Sequence, residues 1–270
     1  MTPPPDERFA VITRARRVWA IGAIHADATR LTALHAALLD KFEPGDRLVY
    51  LGNYMGVGAE TIATLDELVR FRRALLALLS PYLEAADIVY LRGAHEEMWQ
   101  KLLQLQFAVG PAQALEWMLG HGVDPTIRAY GGNPDEGRLR AREGVLVLTR
   151  WTTELRDKVA GHPGHADILN RLKRAAFTEG GELLYVHAGV DPTRPVTEQG
   201  DTFWWGSGYF SKITEPYQGF RRVVRGYDRD HGGVALTDFT ATIDGGCGFG
   251  GPLIGACITL AGEVEAWIEA

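Results

Sequence analysis

The first half of the sequence alternates short apolar runs with longer segments whose apolar residues recur at helical spacing. Residues 18–24 (VWAIGAI) read as a buried strand, and residues 29–42 place apolar side chains three and four positions apart. Further strands are predicted at 46–51 and 87–93, with a long helix over 61–79 between them. Strands separated by helices need crossover connections, so this half predicts βαβ units built around a parallel sheet.

The rest of the chain predicts a different organisation. Residues 122–172 include the turn-rich stretch YGGNPDEGRLRAREG, which indicates a cap-like insertion over the sheet. Beyond it, short strands follow one another with few helices, so we expect mostly antiparallel pairing there. Prolines and charges in residues 1–17 predict a flexible N-terminal tail. The expected fold is therefore one mixed α/β domain over residues 18–270, with two mixed β-sheets packed face to face and helices outside.

Composition excludes few functions but disfavours some. The chain is 46% hydrophobic and 23% charged, with a net charge of -6, so it lacks the basic balance typical of proteins that bind nucleic acid or anionic membranes. No apolar run approaches the roughly 20 residues that span a bilayer, and no signal-peptide core is evident, so we expect a cytoplasmic protein. Cys247 and Cys257 lie in an apolar stretch and read as reduced core residues.

Five loops follow predicted strands and carry most of the residues capable of chemistry. They are GAIHAD (22–27), GNYMGVG (52–58), RGAHEE (92–97), VHAGVDP (186–192) and RGYDRDHGG (225–233). In open α/β sheets, the loops at the carboxyl ends of the strands build the site. Three of the first four loops carry a histidine directly after their strand: His25, His95 and His187.

In this order, the five loops resemble the calcineurin-like metallophosphoesterases, and in particular the bacterial serine/threonine protein phosphatase and diadenosine tetraphosphatase branch. That family's motifs run GDxHG, GDxxDRG, GNHE, HAG and GH. The resemblance extends over about residues 18–268 and implies a four-layer metallophosphoesterase-like sandwich. It also implies a site that holds two ions of the Mn, Fe or Zn type, which clamp a phosphate while a metal-bound hydroxide attacks it.

Carried over residue by residue, the resemblance leaves the metal site incomplete. Of the six metal-ligand positions, only His25 and His187 keep the family's residue type. The other four positions hold Ala23, Asn53, Ala94 and Tyr227 in place of Asp, Asp, Asn and His. Gly56 and Val57 replace the family's second Asp and its phosphate-binding Arg, whereas His95 matches the histidine that protonates the leaving group.

These losses predict a catalytically degraded protein. Dications held close together need anionic oxygen ligands, and the motif positions supply none, so we expect weak or absent divalent metal and no other cofactor. The prediction is a pseudophosphatase with a binding or regulatory role through the cleft that these loops line. We define the cleft by the residues at the motif positions: Ala23, His25, Asn53, Gly56, Val57, Ala94, His95, His187, Arg225 and Tyr227.

The expected partner is a phosphorylated or anionic small molecule, or another protein, and not nucleic acid or a membrane. Arg225 could attract an anionic group, but a surface arginine pointing outward is an equally good interpretation. Trp204 and Trp205 could line a ligand surface or belong to the core.

The alternative function is an active phosphoesterase, acting on phosphoproteins or nucleotides, with a remodelled site that holds one metal. His25 and His187 could share an ion with Asp27, Asp228 or His231. The competing interpretation is that Asp27 caps the helix beginning near Thr29 and that DRDHGG is a solvated turn.

Overall fold

The computed structural model of the protein describes residues 6–270. The strands are β1 (Phe9–Ile12), β2 (Arg17–Ile21), β3 (Asp46–Tyr50), β4 (Ile88–Tyr90), β5 (Ala175–Thr178), β6 (Leu183–Val186), β7 (Arg222–Arg225), β8 (Ala235–Leu236), β9 (Thr240–Thr242), β10 (Ile254–Thr259) and β11 (Val264–Glu269). The α-helices are α1 (Ala28–Leu39), α2 (Thr61–Leu79), α3 (Ala94–Leu102), α4 (Pro111–Gly120), α5 (Asp124–Ala129), α6 (Pro134–Glu143), α7 (Val145–Ala160), α8 (His165–Asn170), α9 (Thr202–Trp205) and α10 (Ser207–Phe210).

One sheet has five strands in the order β11-β10-β2-β3-β4. Strands β2, β3 and β4 run parallel, and the helices α1 and α2 make the crossovers between them. Strand β10 adds to β2 in the antiparallel direction, and β11 pairs antiparallel with β10. The predicted βαβ units in the first half are therefore confirmed.

The other sheet has six strands in the order β1-β5-β6-β7-β9-β8. Here the expected antiparallel pairing is only partly right, because β6, β7 and β9 run parallel to one another. The connection from β6 to β7 includes α9 and α10, which give the chain enough length to return to the same end of the sheet. Strands of three or four residues are too short for the sequence pattern to reveal their direction.

Two predictions about chain organisation need correction. Residues 1–17 do not form a tail throughout, because Phe9–Ile12 is a strand that pairs parallel with β5. The apolar run FAVI buries Phe9 and Ile12, which outweighs the effect of the flanking charges. The first five residues of the predicted tail lie outside the described part of the chain.

The predicted insertion over 122–172 is helical and not turn-rich. It contains α5 to α8, and the side chains of Ile127, Trp151 and Leu155 are buried in the same apolar cluster as α1 and α2. The Asn-Pro pair that suggested a turn instead begins α6, because the Asn133 side chain accepts a hydrogen bond from Asp135 N and Pro134 occupies the first turn. The segment is therefore a packed helical layer.

Apolar side chains fill the space between the sheets and cover their outer faces. The inner cluster joins residues of both sheets, including Val18, Val49, Tyr185 and Val224. The outer face of the five-stranded sheet packs against α1 and α2, and the outer face of the six-stranded sheet packs against the cluster that contains Trp204. This arrangement confirms the predicted α/β class with two mixed sheets flanked by helices.

Burial decides the placement of the two tryptophans and the two cysteines. Trp204 belongs to the core, whereas Trp205 is 43% exposed. Cys247 and Cys257 are both buried and neither forms a disulfide. Across residues 6–270, none of the helices combines the length and apolar character that crossing a bilayer requires.

Candidate functional site

Backbone hydrogen bonds tie the strand-end loops together at one edge of the sandwich. His25 N donates to Asn53 O at 2.7 Å, so the loops after β2 and β3 touch. Gly226 N and Tyr227 N both donate to His187 O at 3.0 Å, which joins the loops after β6 and β7. The His187 ring then donates from Nδ1 to Leu51 O at 2.7 Å, which links the two sheets. The loops that the sequence singled out are therefore brought together in space.

Glu96 holds two of these loops together, its own (92–97) and the loop after β3 (52–58). Its buried carboxylate accepts hydrogen bonds from Gly93 N, Asn53 N and Tyr54 N at 2.8 Å each, and from Met55 N at 3.3 Å. Burial raises the pKa of this carboxyl, and the four backbone donors oppose that shift. The one acid that survives inside the motifs therefore organises backbone and has no oxygen free for a ligand.

Backbone strain is concentrated in the same loops. His25, Ala26, Asn53 and Val57 have φ values of +53°, +59°, +54° and +57°. Asparagine tolerates this left-handed region, but for the β-branched Val57 it is costly. Strained backbone clusters at functional sites, so these loops are the candidate site on conformational grounds as well.

Aromatic rings fill the space between the loops. The His25 ring lies 5.3 Å from that of His95, 5.7 Å from Tyr227 and 5.1 Å from Phe249, measured between ring centroids. Tyr227, which stands where the family has its last metal-binding histidine, stacks face to face on His187 at 5.1 Å. Ring-to-ring contacts of this kind, and not charged groups, are what the cleft offers at its centre.

The three cleft histidines are held in the neutral state. Burial lowers the pKa of His95 to about 4 and that of His187 to about 3. Burial, assisted by the neighbouring His95 and His187, lowers the pKa of His25 well below its ordinary value. Because Nδ1 of His187 donates to Leu51 O, its Nε2 carries a lone pair, and this buried nitrogen has no hydrogen-bond partner. His25 Nδ1 and His95 Nδ1 are likewise without partners.

Asn53 is committed to the loops. Its side-chain oxygen accepts a hydrogen bond from His95 N at 3.0 Å, and its amide nitrogen lies 3.4 Å from Nε2 of His25. The oxygen that would have to approach a metal is therefore already bonded to backbone. Ala23 and Ala94 are buried and have no donor atoms.

The acids proposed as replacement ligands are engaged elsewhere. Asp27 caps α1 by accepting from Arg30 N at 2.9 Å, as the competing interpretation of the sequence predicted. Asp228 pairs with Arg225 at 2.9 Å, and His231 Nδ1 lies 3.2 Å from Asp244. In the described residues, 6–270, no group of three or more His, Cys, Asp or Glu side chains is arranged to hold a metal ion.

Arg225 is neither a surface residue nor a free cation. It is buried, donates from Nε to Thr242 Oγ1 at 2.9 Å and lies over the Phe210 ring at 4.4 Å from its centroid. Its guanidinium is neutralised by Asp228, so an anion could bind it only by displacing that carboxylate. The interpretation of Arg225 as an outward surface residue is therefore wrong, whereas its attraction for an anion stays a prediction.

Two glycines allow histidine rings into the centre of the cleft. A Cβ atom on Gly56 would lie 2.0 Å from His95 Nδ1, so the His95 ring occupies the space that any side chain at position 56 would need. A Cβ atom on Gly248 would lie 2.5 Å from His25 Cβ. Both glycines also have positive φ values, +81° and +84°, so side chains are disfavoured there on two grounds.

Sequence reasoning missed the contribution of residues 244–251. Asp244 accepts from Asp228 N and Gly246 N, and Phe249 stacks on His231 at 4.0 Å. The available signal was the glycine-rich run GCGFGG directly after an apolar strand. Such a run permits close approach of backbone to neighbouring groups, and here it approaches His25.

The residues present do not fit two dications. The carboxylates within reach either bind backbone amides or pair with arginines, and the remaining donors of the cleft are neutral imidazoles and one bonded amide. Neutral ligands cannot offset the mutual repulsion of two ions held close together.

Comparisons with solved structures agree with the fold. A proposed diadenosine tetraphosphatase superposes with a TM-score of 0.55 at 18% identity, over 97% of this chain and 98% of its own. A cold-active protein tyrosine phosphatase gives a TM-score of 0.53 at 10% identity, over 96% of this chain and 81% of its own. A cold-active protein-tyrosine phosphatase from a psychrophilic Shewanella species gives 0.51 at 13% identity, over 96% and 83%.

Sequence comparisons alone do not find these relationships. A scan against protein-family models gives no match, and a search of curated proteins gives none. The likeness is one of three-dimensional structure.

Proposed function

We propose that this chain, which has the fold of the calcineurin-like metallophosphoesterases, no longer hydrolyses phosphate esters and instead acts as a binding or regulatory protein through its cleft. The proposal rests on the groups at the centre of the cleft, which are uncharged rings and not ionised side chains. Where the fold would hold two metal ions, His25, His95, His187 and Tyr227 pack against one another as neutral rings.

The loss of hydrolysis follows from several missing contributions at once. Without carboxylate ligands, a metal-bound water with a lowered pKa is not generated. Without an arginine at Val57, a phosphate has no bidentate partner there. Since each 1.36 kcal/mol changes a rate about tenfold, the loss of several such interactions together removes most of the catalysis.

The rim of the cleft supports a binding role. Phe249 is 51% exposed beside His25, and Trp117, which is 47% exposed, stacks on His121 at 4.1 Å. Trp117 also meets the exposed Trp205 edge to face at 5.7 Å. Exposed aromatic groups around a concave site favour a partner that contributes apolar or aromatic groups, either a protein side chain or a small ligand. A phosphorylated ligand is the second option within this proposal, and it would have to compete with Asp228 for Arg225.

The second candidate function is hydrolysis at a site with one metal, and one observation favours it. His187 Nε2 carries a lone pair, is buried and has no partner, and His25 Nδ1 is also unpartnered nearby. Two imidazole nitrogens are suitable ligands for Zn²⁺, but a catalytic zinc site ordinarily has three protein ligands.

A hydrolysis assay with a matched variant separates the two functions. Wild-type protein and His187→Ala would be compared on p-nitrophenyl phosphate and diadenosine tetraphosphate, with Mn²⁺ or Zn²⁺ added. The proposal predicts equal rates for the two proteins, because any background hydrolysis does not come from the cleft. Metal-dependent turnover by the wild type that disappears in His187→Ala would establish the second function.

Binding through the cleft is tested separately. Tryptophan fluorescence would follow titration with adenosine, adenosine monophosphate and diadenosine tetraphosphate, and cross-linking in a cell extract would follow protein partners. Phe249→Ala should weaken whichever interaction is found, while Phe107→Ala, which also removes an exposed phenyl group, should not. Equal effects of the two substitutions would argue against the cleft as the binding surface.

A further inference from the structure

A second site lies at the edge of the sandwich, between the last strands of the two sheets. Strand β1 ends the six-stranded sheet and β4 ends the five-stranded sheet. Between them is a cavity of about 420 Å³, which we call the edge cavity. Its lining residues are Phe9, Ala10, Val11, Arg72, Ala85, Ala86, Ile88, Val89, Tyr90, Asn170, Arg171 and Lys173. None of them belongs to the cleft.

All the charged side chains among the lining residues are cations. Arg72, Arg171 and Lys173 are its only ionisable groups apart from the Tyr90 phenol, and no aspartate or glutamate lines the cavity. None of the three cations forms an ion pair with another residue in the range 6–270. This is unusual in a chain whose net charge is -6 and whose other arginines pair extensively with acids.

The hydrogen bonds of the cations leave most of their donors free. Lys173 Nζ donates to the backbone oxygen of Glu7 at 2.6 Å, and Arg72 Nη2 makes one long contact with Ala85 O at 3.5 Å. A guanidinium has five N–H donors and an ammonium has three. Several donors on two different elements, α2 and the segment before β5, therefore remain available to a ligand.

Tyr90 provides a second, independent observation. Tyr90 is among the lining residues and is 4% exposed, and its hydroxyl has no hydrogen-bond partner. A buried hydroxyl without a partner costs free energy, and a bound molecule that accepts from it would remove that cost. Burial raises the pKa of the Tyr90 phenol, and Arg72 opposes that shift because it lies close to the ring.

From this cavity we infer a binding site for a small organic phosphate, namely a phosphate monoester whose remaining part is apolar. Three cations and a hydroxyl donor match a dianion with three terminal oxygens better than they match a monocarboxylate. Arginine forks bind phosphate through paired hydrogen bonds. The apolar share of the lining, which includes Phe9 and Ile88, accommodates the rest of the molecule, and the volume suits a small ligand.

Phenyl phosphate is a suitable probe because it combines both features. Titration calorimetry with the full chain should give one binding event at the edge cavity, with weaker binding of benzoate and of inorganic phosphate. Arg72→Gln combined with Lys173→Gln should weaken phenyl phosphate binding by about tenfold or more. The matched control is Arg73→Gln, because Arg73 is an exposed neighbour on α2 that does not line the cavity, and its effect should stay within about twofold.

Further variants keep the test decisive. Tyr90→Phe removes only the hydroxyl and should also weaken binding, which covers the case in which the double variant does not fold. Wild-type affinity in the folded double variant would overturn the inference. Binding that a folded Arg225→Gln variant loses and the double variant keeps would also overturn it, while supporting the phosphorylated-ligand option for the cleft.

Discussion

The cleft and the edge cavity treat charge in opposite ways. In the cleft, Arg225 is neutralised by Asp228, the Glu96 carboxylate is bound by backbone amides, and the histidines are kept uncharged by burial. In the edge cavity, three cations line a space without any acid. The motif loops drew attention to the cleft, yet the uncompensated charge lies elsewhere. Position in a familiar fold therefore does not indicate which surface binds an anion.

In the cleft, the backbone conformation of the loops and the chemical character of their side chains are separate features. Glu96 and the loop residues with positive φ hold the backbone of the cleft, while Ala23, Asn53, Ala94 and Tyr227 supply no carboxylate to it. In the edge cavity the cationic donors come from the interior of α2 and from the segment between α8 and β5. The backbone of the cleft loops and the ligand-binding capacity of their side chains can therefore be varied separately.

The largest effect is expected from removing the Glu96 carboxylate. Glu96→Ala leaves four buried backbone N–H groups without their acceptor, so it should lower the free energy of unfolding by about 3–5 kcal/mol. Urea unfolding measures the change. Glu97→Ala is the control on the same helix, because its carboxylate pairs with the side chains of Arg92 and Lys101 instead of backbone amides, and it should cost clearly less. Equal losses would mean that Glu96 does not organise the loops.

Introducing metal-binding side chains into the cleft tests whether its loops place them close enough to share an ion. A variant with Ala23→Asp, Asn53→Asp, Ala94→Asn and Tyr227→His should bind Mn²⁺, and at 100 times its Kd the metal should stabilise the variant by about 2.7 kcal/mol. Gly56 is left unchanged because an aspartate there would collide with His95. Thermal unfolding with and without Mn²⁺ measures the effect, and the wild type should show none. A folded variant whose thermal unfolding does not change with Mn²⁺ would show that the loops do not match the geometry of a metal site.

Burial of the cleft histidines predicts a pH dependence of stability. His95 has a pKa of about 4 in the folded chain, below its value of about 6.5 when unfolded, so protons bind the unfolded state preferentially as the pH falls. Stability should therefore decline below about pH 6.5, and His95→Gln should reduce the slope by about 1.4 kcal/mol per pH unit down to the folded pKa. Unfolding curves in the presence of a chelator, with the exposed His121→Gln as control, measure the difference. An unchanged slope in His95→Gln would contradict a buried neutral imidazole.

The smallest effect is expected from relieving strain at Val57. Val57→Asn should raise the free energy of unfolding by about 1 kcal/mol, because asparagine adopts the left-handed region more readily than a β-branched residue. Val109→Asn, at a fully exposed position without positive φ, should change stability little. Destabilisation by Val57→Asn would indicate that the valine side chain has a packing role in the cleft.

Much of the fold could be predicted from the sequence because its signals are local. Helical spacing and apolar runs correctly indicated β2, β3, β4 and the helices between them. Strand β1 was missed because a four-residue apolar run among prolines and charges has no periodicity, and it becomes a strand only when β5 is beside it. The helical layer over 124–170 was missed because asparagine and proline signal turns and helix starts alike.

The candidate site was predictable in location but not in character. The five strand-end loops do converge, as hydrogen bonds between their backbones show. However, the pairing of Arg225 with Asp228 and the contact of Phe249 with His25 depend on the relative placement of distant loops. The edge cavity could not be found at all, because its cations come from α2 and from the segment before β5, which no motif connects.

Metal content tests the central claim most directly. Protein purified without chelator, then dialysed against excess Mn²⁺ and passed through a desalting column, would be analysed by mass spectrometry of the metals it retains. Because the centre of the cleft offers neutral rings and no free carboxylate, we expect far less than one ion per chain. Two tightly held ions per chain, lost in His187→Ala, would contradict it.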